Sequence, residues 1–373
     1  MNRRTVSLGR VIGIPIGLDP SWFLIFILLT WTLSSSYFPT EFKNWSVAEY
    51  WIVGGFTTVL FFVSVLLHEL GHSVVALRYK IPVRSITLFI FGGVAQIGSE
   101  PPSARSEFWI AIAGPVVSFA LAGIFYLLQL VFAGLAPLLA TVKYLAFING
   151  TLGLFNLIPG FPLDGGRVFR SIVWSLTKNL RRATLIAANL GRAIAFLFIL
   201  YGVWQVLTGH LGNGLWIAFI GWFLESAATS QAQQQIVHDL LAGHTVKQAM
   251  NRNYATVSSR TTLQDLVDGQ ILGSSQRVFI VTDDVERVMG ILTLHHVKKI
   301  PRSEWPTSLV SQAMTPISEA KWVGPDSPIK SALAEMDENG VNQLPVMANG
   351  QIMGMLTREG VISFLRIQQE LGL

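Results

Sequence analysis

The strongest constraint in this sequence is an apolar run over residues 51–77 that contains His68-Glu69-Leu70-Gly71-His72. A helix needs about 20 apolar residues to cross the hydrocarbon of a bilayer, and this run supplies them. Ionisable side chains inside such a segment cost about 2.5–3.5 kcal/mol each, so three of them together imply function before packing.

The oil extends well beyond this run. Hydrophobic residues make up 51% of the chain and charged residues 13%, against roughly 25% charged in soluble domains. Six segments are apolar enough to cross: 21–37, 51–77, 108–133, 138–158, 183–207 and 212–228. Asp19 and Pro20 suit the N-cap and first position of the first helix. That stretch is long enough to stay as an anchor, unlike a cleaved signal peptide. From residue 231 onward the composition is that of a soluble domain. The sequence therefore predicts a membrane-embedded domain over 1–230 and a linker over 231–245.

The formal charge of +5 is carried beside the apolar runs. Arg3, Arg4 and Arg10 precede the first; Arg78, Lys80, Arg84 and Arg105 follow the second; Arg167, Arg170, Lys178, Arg181 and Arg182 follow the fourth. Only Lys43 and Lys143 fall on the other side. This asymmetry predicts cytoplasmic termini and a cytoplasmic tail, and it argues against a nucleic-acid partner.

His68 and His72 stand at i and i+4, so both imidazoles project from one helical face and can grip a single ion. Neutral imidazole suits zinc, and Glu69 beside them can act as a general base. The chain has no cysteine, so any further ligand is a histidine or a carboxylate. A catalytic zinc usually takes three protein ligands. His210 falls in an outer loop, and His238, His244, His295 and His296 fall in the tail. The best third candidate is Asp164, where Pro159 and Pro162 prevent the fourth helix from continuing. The second and fourth spans run in the same direction, which brings both ends to one side. The plainer reading of Asp164 is a turn residue before Gly165 and Gly166.

Between the second and third spans, residues 85–98 are β-branched, aromatic and glycine-rich, and too few for a helical round trip. They predict a short re-entrant β-hairpin, whose edge would align an extended substrate; an amphipathic connector is the plainer alternative. Ala113, Gly114, Ser118, Ala120, Ala122 and Gly123 read as helix-packing positions without chemistry.

Together the HELGH motif, Ile112-Ala-Gly-Pro115 and the segment from Asn156 to Gly166 resemble the site-2 protease family of intramembrane metalloproteases, over most of the first 230 residues. The resemblance implies one catalytic zinc ion held by His68, His72 and Asp164, with Glu69 as the base. Asn156 matches a position associated with steadying the reacting carbonyl. The implied reaction is cleavage of a transmembrane segment of a single-pass protein near the cytoplasmic face of the cell membrane.

In the tail, Val246-Lys-Gln-Ala-Met250 repeats as Val310-Ser-Gln-Ala-Met314, and Val288-Met-Gly-Ile-Leu-Thr293 as Ile352-Met-Gly-Met-Leu-Thr357. This duplication resembles a pair of CBS domains, at 246–300 and 309–372. The resemblance implies a soluble α/β module that regulates the enzyme, supports a homodimer and takes an adenine nucleotide near Thr293 and Thr357. His296 and Gly360 stand where the pattern has an acidic residue. The fold class expected is thus a multi-pass α-helical membrane protein with six transmembrane helices, a re-entrant β-hairpin and a tandem CBS pair. Rival readings are a CBS-gated transporter or channel and a catalytically silent scaffold. The ionisable residues gather at one site without an inverted repeat, which favours the protease.

Overall fold

The computed structural model describes residues 5–241, 243–273 and 276–371; Arg3, Arg4 and position 372, which enter the charge and domain readings, lie outside these. The chain divides into two compact units, Met1–Gln235 and Ile236–Leu373.

The first unit opens with two strands, β1 (Val6–Val11) and β2 (Ile14–Leu18), followed by α1 (Pro20–Thr32). Asp19 caps α1 by accepting the Ser21 N–H at 2.9 Å, and Pro20 takes the first turn, where no N–H is needed. After a π-helical turn at Leu33–Tyr37 and the short α2 (Phe38–Glu41) comes α3 (Val47–Arg78), the HELGH helix. The hairpin β3 (Val83–Phe89) and β4 (Gly92–Ile97) leads to α4 (Ala104–Val131) and α5 (Ala136–Asn156). Then follow α6 (Asp164–Thr177), α7 (Leu180–Leu207) and α8 (Leu211–Leu241), the last of which runs past Gln235 into the second unit.

Among the described residues, five helical stretches are long and apolar enough to cross a membrane: Pro20–Glu41, α3, α4, α5 and α7. The sixth expected crossing lies in α8, which is not among the five. Its continuous apolar run ends at Leu224, before Glu225 and a glutamine-rich stretch. Leu24, Ile27, Leu130, Leu197 and Leu207 are exposed on the helical surfaces, as lipid contact requires. Polar side chains turn inward instead, as where the buried Thr57 and Thr141 hydroxyls meet at 3.0 Å.

Residues 83–97 form the hairpin expected there, but it does not stand alone. β3 runs parallel to β2, with Ile16 opposite Ile86, and the four strands form one sheet in the order β1-β2-β3-β4. The first pair escaped the sequence reading because its turn, Ile12-Gly13 at φ 52° and 78°, has a β-branched residue where Asn or Asp would signal a hairpin. Ile14 and Ile86 pack on Leu70, and Leu18 and Leu88 pack on Val65. The sheet therefore lies against the HELGH half of α3.

In the second unit, α9 (Val246–Ala249), β5 (Ala255–Ser258), α10 (Leu263–Leu266), β6 (Val278–Thr282), β7 (Val288–Thr293) and α11 (Leu294–Lys299) make the first repeat. The second comprises α12 (Val310–Ala313), β8 (Thr315–Pro316), α13 (Ile329–Glu338), β9 (Gln343–Ala348), β10 (Gln351–Thr357) and α14 (Arg358–Leu371). The repeats exchange their first segments. Val246 is buried with Ile329, Leu344 and Leu356 of the second repeat, whereas Val310 is buried with Leu263, Phe279 and Leu292 of the first. The strand pairing follows suit, with Thr315 opposite Ile291 and Asn251 opposite Met355. Both crossings pass over a glycine. A Cβ on Gly290 would strike the Thr315 carbonyl, and one on Gly354 would lie 2.7 Å from the Asn251 carbonyl.

Candidate metal centre

Two helices bring three ligand-type side chains to one point. His68 and His72 come from the inward face of α3, and both are 4% exposed. Asp164 opens α6, after a tight loop over residues 157–163. Gly165 and Gly166 permit that loop, since a Cβ on either would strike backbone atoms of Leu157, Ile158, Gly160 or Phe161. The Asp164 Oδ2 atom lies 3.1 Å from His68 Nε2 and 3.1 Å from His72 Nε2, and the two nitrogens are 3.3 Å apart.

The other nitrogen of each imidazole is held by α4. His72 Nδ1 lies 2.6 Å from the Ile110 carbonyl, which only accepts, so Nδ1 donates and Nε2 presents its lone pair to the centre. His68 Nδ1 lies 2.8 Å from the Ser118 hydroxyl. Gly114, between them on α4, leaves the space the rings occupy. A Cβ there would lie 2.6 Å from His68 Nε2 and nearer still to His72 Nε2. Gly71 serves the same close approach of α3 to α4, because a Cβ on it would lie 3.0 Å from the Ala113 carbonyl.

Three such atoms within 3.1–3.3 Å of one another can share a hydrogen on one imidazole or a metal ion. Tetrahedral zinc, with bonds of about 2.0–2.1 Å, sets its ligand atoms about 3.3–3.4 Å apart, close to the spacing seen. Hydrogen-bonded Nδ1 atoms are also the usual outer shell of metal-binding histidines. The donor set therefore fits zinc, and His68, His72 and Asp164 are the residues able to hold it.

Glu69 is half-buried and faces β4. The Ala95 backbone N–H hydrogen-bonds to its carboxylate, and a Cβ on Gly93 would lie 2.5 Å from Glu69 Cγ. Asn156, half-buried, is the last residue of α5, at the start of the loop to Asp164. Thr293 and Thr357 stand at the strand-to-helix junctions after β7 and β10. The Thr293 N–H donates to His296 Nδ1 at 3.3 Å, and Thr357 Oγ1 accepts the Gly360 N–H at 2.9 Å.

Sequence reasoning left Gly114 and Ser118 as packing positions. In the structure Gly114 is such a close-approach position, packed against the imidazoles, and Ser118 also lies within hydrogen-bond distance of His68 Nδ1. A hydroxyl on the buried face of a membrane helix is the signal by which that hydrogen bond could have been found. The Ile110 carbonyl carried no signal at all, since any residue supplies one.

The profile of Peptidase family M50 matches residues 56–141 and 135–200, and that of the CBS domain matches 246–302 and 310–367. The chain is 32% identical over 369 residues to the Mycobacterium tuberculosis protein named zinc metalloprotease Rip3, covering 98% of this chain and 94% of Rip3. It is 34% identical over 368 residues to the Synechocystis protein named zinc metalloprotease sll0528, covering 97% and 95%. Among solved structures, the site-2 protease from Methanocaldococcus jannaschii is similar at 31% identity, with a TM-score of 0.43, over 61% of this chain and 95% of that one. From the agreement with Rip3 and sll0528 along nearly the whole chain, together with the two family profiles, it follows that the protein belongs to peptidase family M50, the site-2 proteases, and is a multi-pass membrane zinc metalloendopeptidase with a tandem pair of CBS domains.

Proposed function

We propose that this protein cleaves transmembrane segments of single-pass proteins near the cytoplasmic face of the cell membrane, with His68, His72 and Asp164 as zinc ligands. The observation that carries the reading is the convergence of the three ligand atoms within 3.1–3.3 Å on imidazoles tethered from behind. Zinc bound there supplies Lewis acidity toward the scissile carbonyl and lowers the pKa of water to about 7. Glu69 takes the proton from the attacking water and delivers it to the leaving amine. The Ala95 N–H holds that carboxylate in place. Asn156 steadies the reacting carbonyl by hydrogen bonding.

β4 is an edge strand, paired on one side with β3, and it lies beside Glu69. A substrate that unwinds adds to that edge as a further strand, and its backbone hydrogen bonds set the register of the cut. Gly93→Pro disturbs base and edge together, so N-methylated peptide substrates are the cleaner probe. They should be cut more slowly than their parents with zinc content unchanged.

In this reading α8 contributes the sixth crossing, the β-hairpin is re-entrant, and both termini face the cytoplasm. The CBS pair, which spans 246–300 and 309–372, modulates cleavage, takes an adenine nucleotide near Thr293 and Thr357, and supports a homodimer. Calorimetry of the full chain with ATP, ADP and AMP tests the nucleotide; no heat with any of them removes it. The main test is co-expression with a panel of single-pass proteins, comparing wild type with Glu69→Gln. Equal cleavage by the two refutes the mechanism.

A further inference from the structure

α6 carries Asp164, and six positions further along it carries Arg170, which is 8% exposed. Arg170 Nε donates to Glu107 Oε1 of α4 at 2.6 Å, and its Nη2 reaches the same oxygen. Glu107 is fully buried. Arg170 Nη1 lies 3.5 Å from Thr184 Oγ1 of α7, and the guanidinium stands 5.3 Å from the centroid of the Phe161 ring. Phe161 belongs to the loop just before Asp164, so one side chain grips the chain on both sides of that carboxylate.

The α4 partner belongs to a single buried stripe. Glu107, Ile110, Gly114 and Ser118 follow helical spacing, and all are buried. The last three meet the imidazoles of His68 and His72. One helical face thus orients both α3 ligands and, through Glu107, also anchors the helix that brings the third. Apolar contacts allow helices to slide and rotate, whereas two nitrogens of one guanidinium converging on a single buried carboxylate oxygen restrict direction as well as distance. Metal sites tolerate ligand displacements of only about 0.2 Å.

Resting on the assignment of His68, His72 and Asp164 to zinc, we infer that Glu107 and Arg170 are positioning residues that hold the Asp164 carboxylate in register with the two histidines. The pair acts through helix placement and does not touch the reacting atoms.

The test uses the full-length protein in detergent, with zinc affinity measured by chelator competition and the cobalt(II) form by its visible absorption. Glu107→Gln and Arg170→Lys should each weaken zinc binding about 10- to 100-fold, as losses from the shell around metal ligands do, and should alter the cobalt spectrum. Gly202→Ala, which crowds α7 against α8, should lower thermal stability and leave zinc affinity unchanged. Zinc affinities within twofold of wild type in both Glu107→Gln and Arg170→Lys overturn the inference. Failure of both to fold also overturns it, by assigning the pair to general packing. Wild-type affinity in His72→Ala would instead refute the zinc assignment itself, so the two failures are distinct.

Discussion

Gly114→Ala is the smallest change that reaches the metal centre without altering a ligand. The added methyl carbon would lie 2.6 Å from His68 Nε2, whereas ordinary contact begins at 3.4 Å, so ring and helix must separate by 0.8 Å. Neither imidazole can swing aside freely. Each is tied through Nδ1 to the same helix that carries the methyl group, at 2.8 Å by Ser118 and 2.6 Å by Ile110. Retreat of α4 would break those bonds, and rotation of the rings would draw Nε2 away from Asp164. A 0.8 Å displacement is several times the roughly 0.2 Å that ligand geometry tolerates. Zinc affinity should therefore fall by at least the 10- to 100-fold typical of lost outer-shell support, and cleavage should fall with it. Chelator competition on purified protein measures the first and co-expression with a cleaved substrate the second. Gly123→Ala on the same helix is the control: nothing lies within 4 Å of its added carbon, so both readouts should match wild type. Wild-type zinc affinity in Gly114→Ala would refute the argument that α4 packs directly against the ligand nitrogens.

Three further outcomes are expected. Glu69→Gln should retain zinc while cleavage falls about 10²- to 10⁴-fold, the usual contribution of a general base, as read by zinc content and product formation on the same preparation. Gly354→Ala places a carbon 2.7 Å from the Asn251 carbonyl and disrupts the paired Asn251–Met355 bonds. It should cost about 1–3 kcal/mol and lower the melting temperature of the C-terminal unit by several degrees in calorimetry of the full chain. His296 is pushed below the ordinary imidazole range by burial and by the neighbouring Lys299 and His295 charges. Because its folded pKa is the lower one, its contribution is complete above the unfolded value of about 6.5 and is lost as the pH falls through the folded pKa. Protonation would also abolish acceptance of the Thr293 N–H. The C-terminal unit should thus melt earlier at pH 5.5 than at pH 7.5, and His296→Gln should reduce that difference.

Local spacing made much of this protein legible. The i, i+4 interval puts His68 and His72 on one face whatever α3 packs against, and apolar length marks the crossing helices, because both depend only on helix geometry and on bilayer thickness. The tandem repeat likewise announced two similar units. Other features depend on partners far along the chain. The strand Ile14–Leu18 is short and interrupted by Pro15 and Gly17, too little to declare itself, and it becomes part of a sheet because β1 and β3 lie alongside. Val246 and Val310 look like members of their own repeats, yet each is buried in the other, since the exchange buries both faces at once. At the metal centre, the HELGH interval sets the spacing of the two histidines. It is the packing of α4 and α6 on α3 that brings Asp164 to within 3.1 Å of both, fixes the tautomer of His72 and leaves only a hydrogen at position 114.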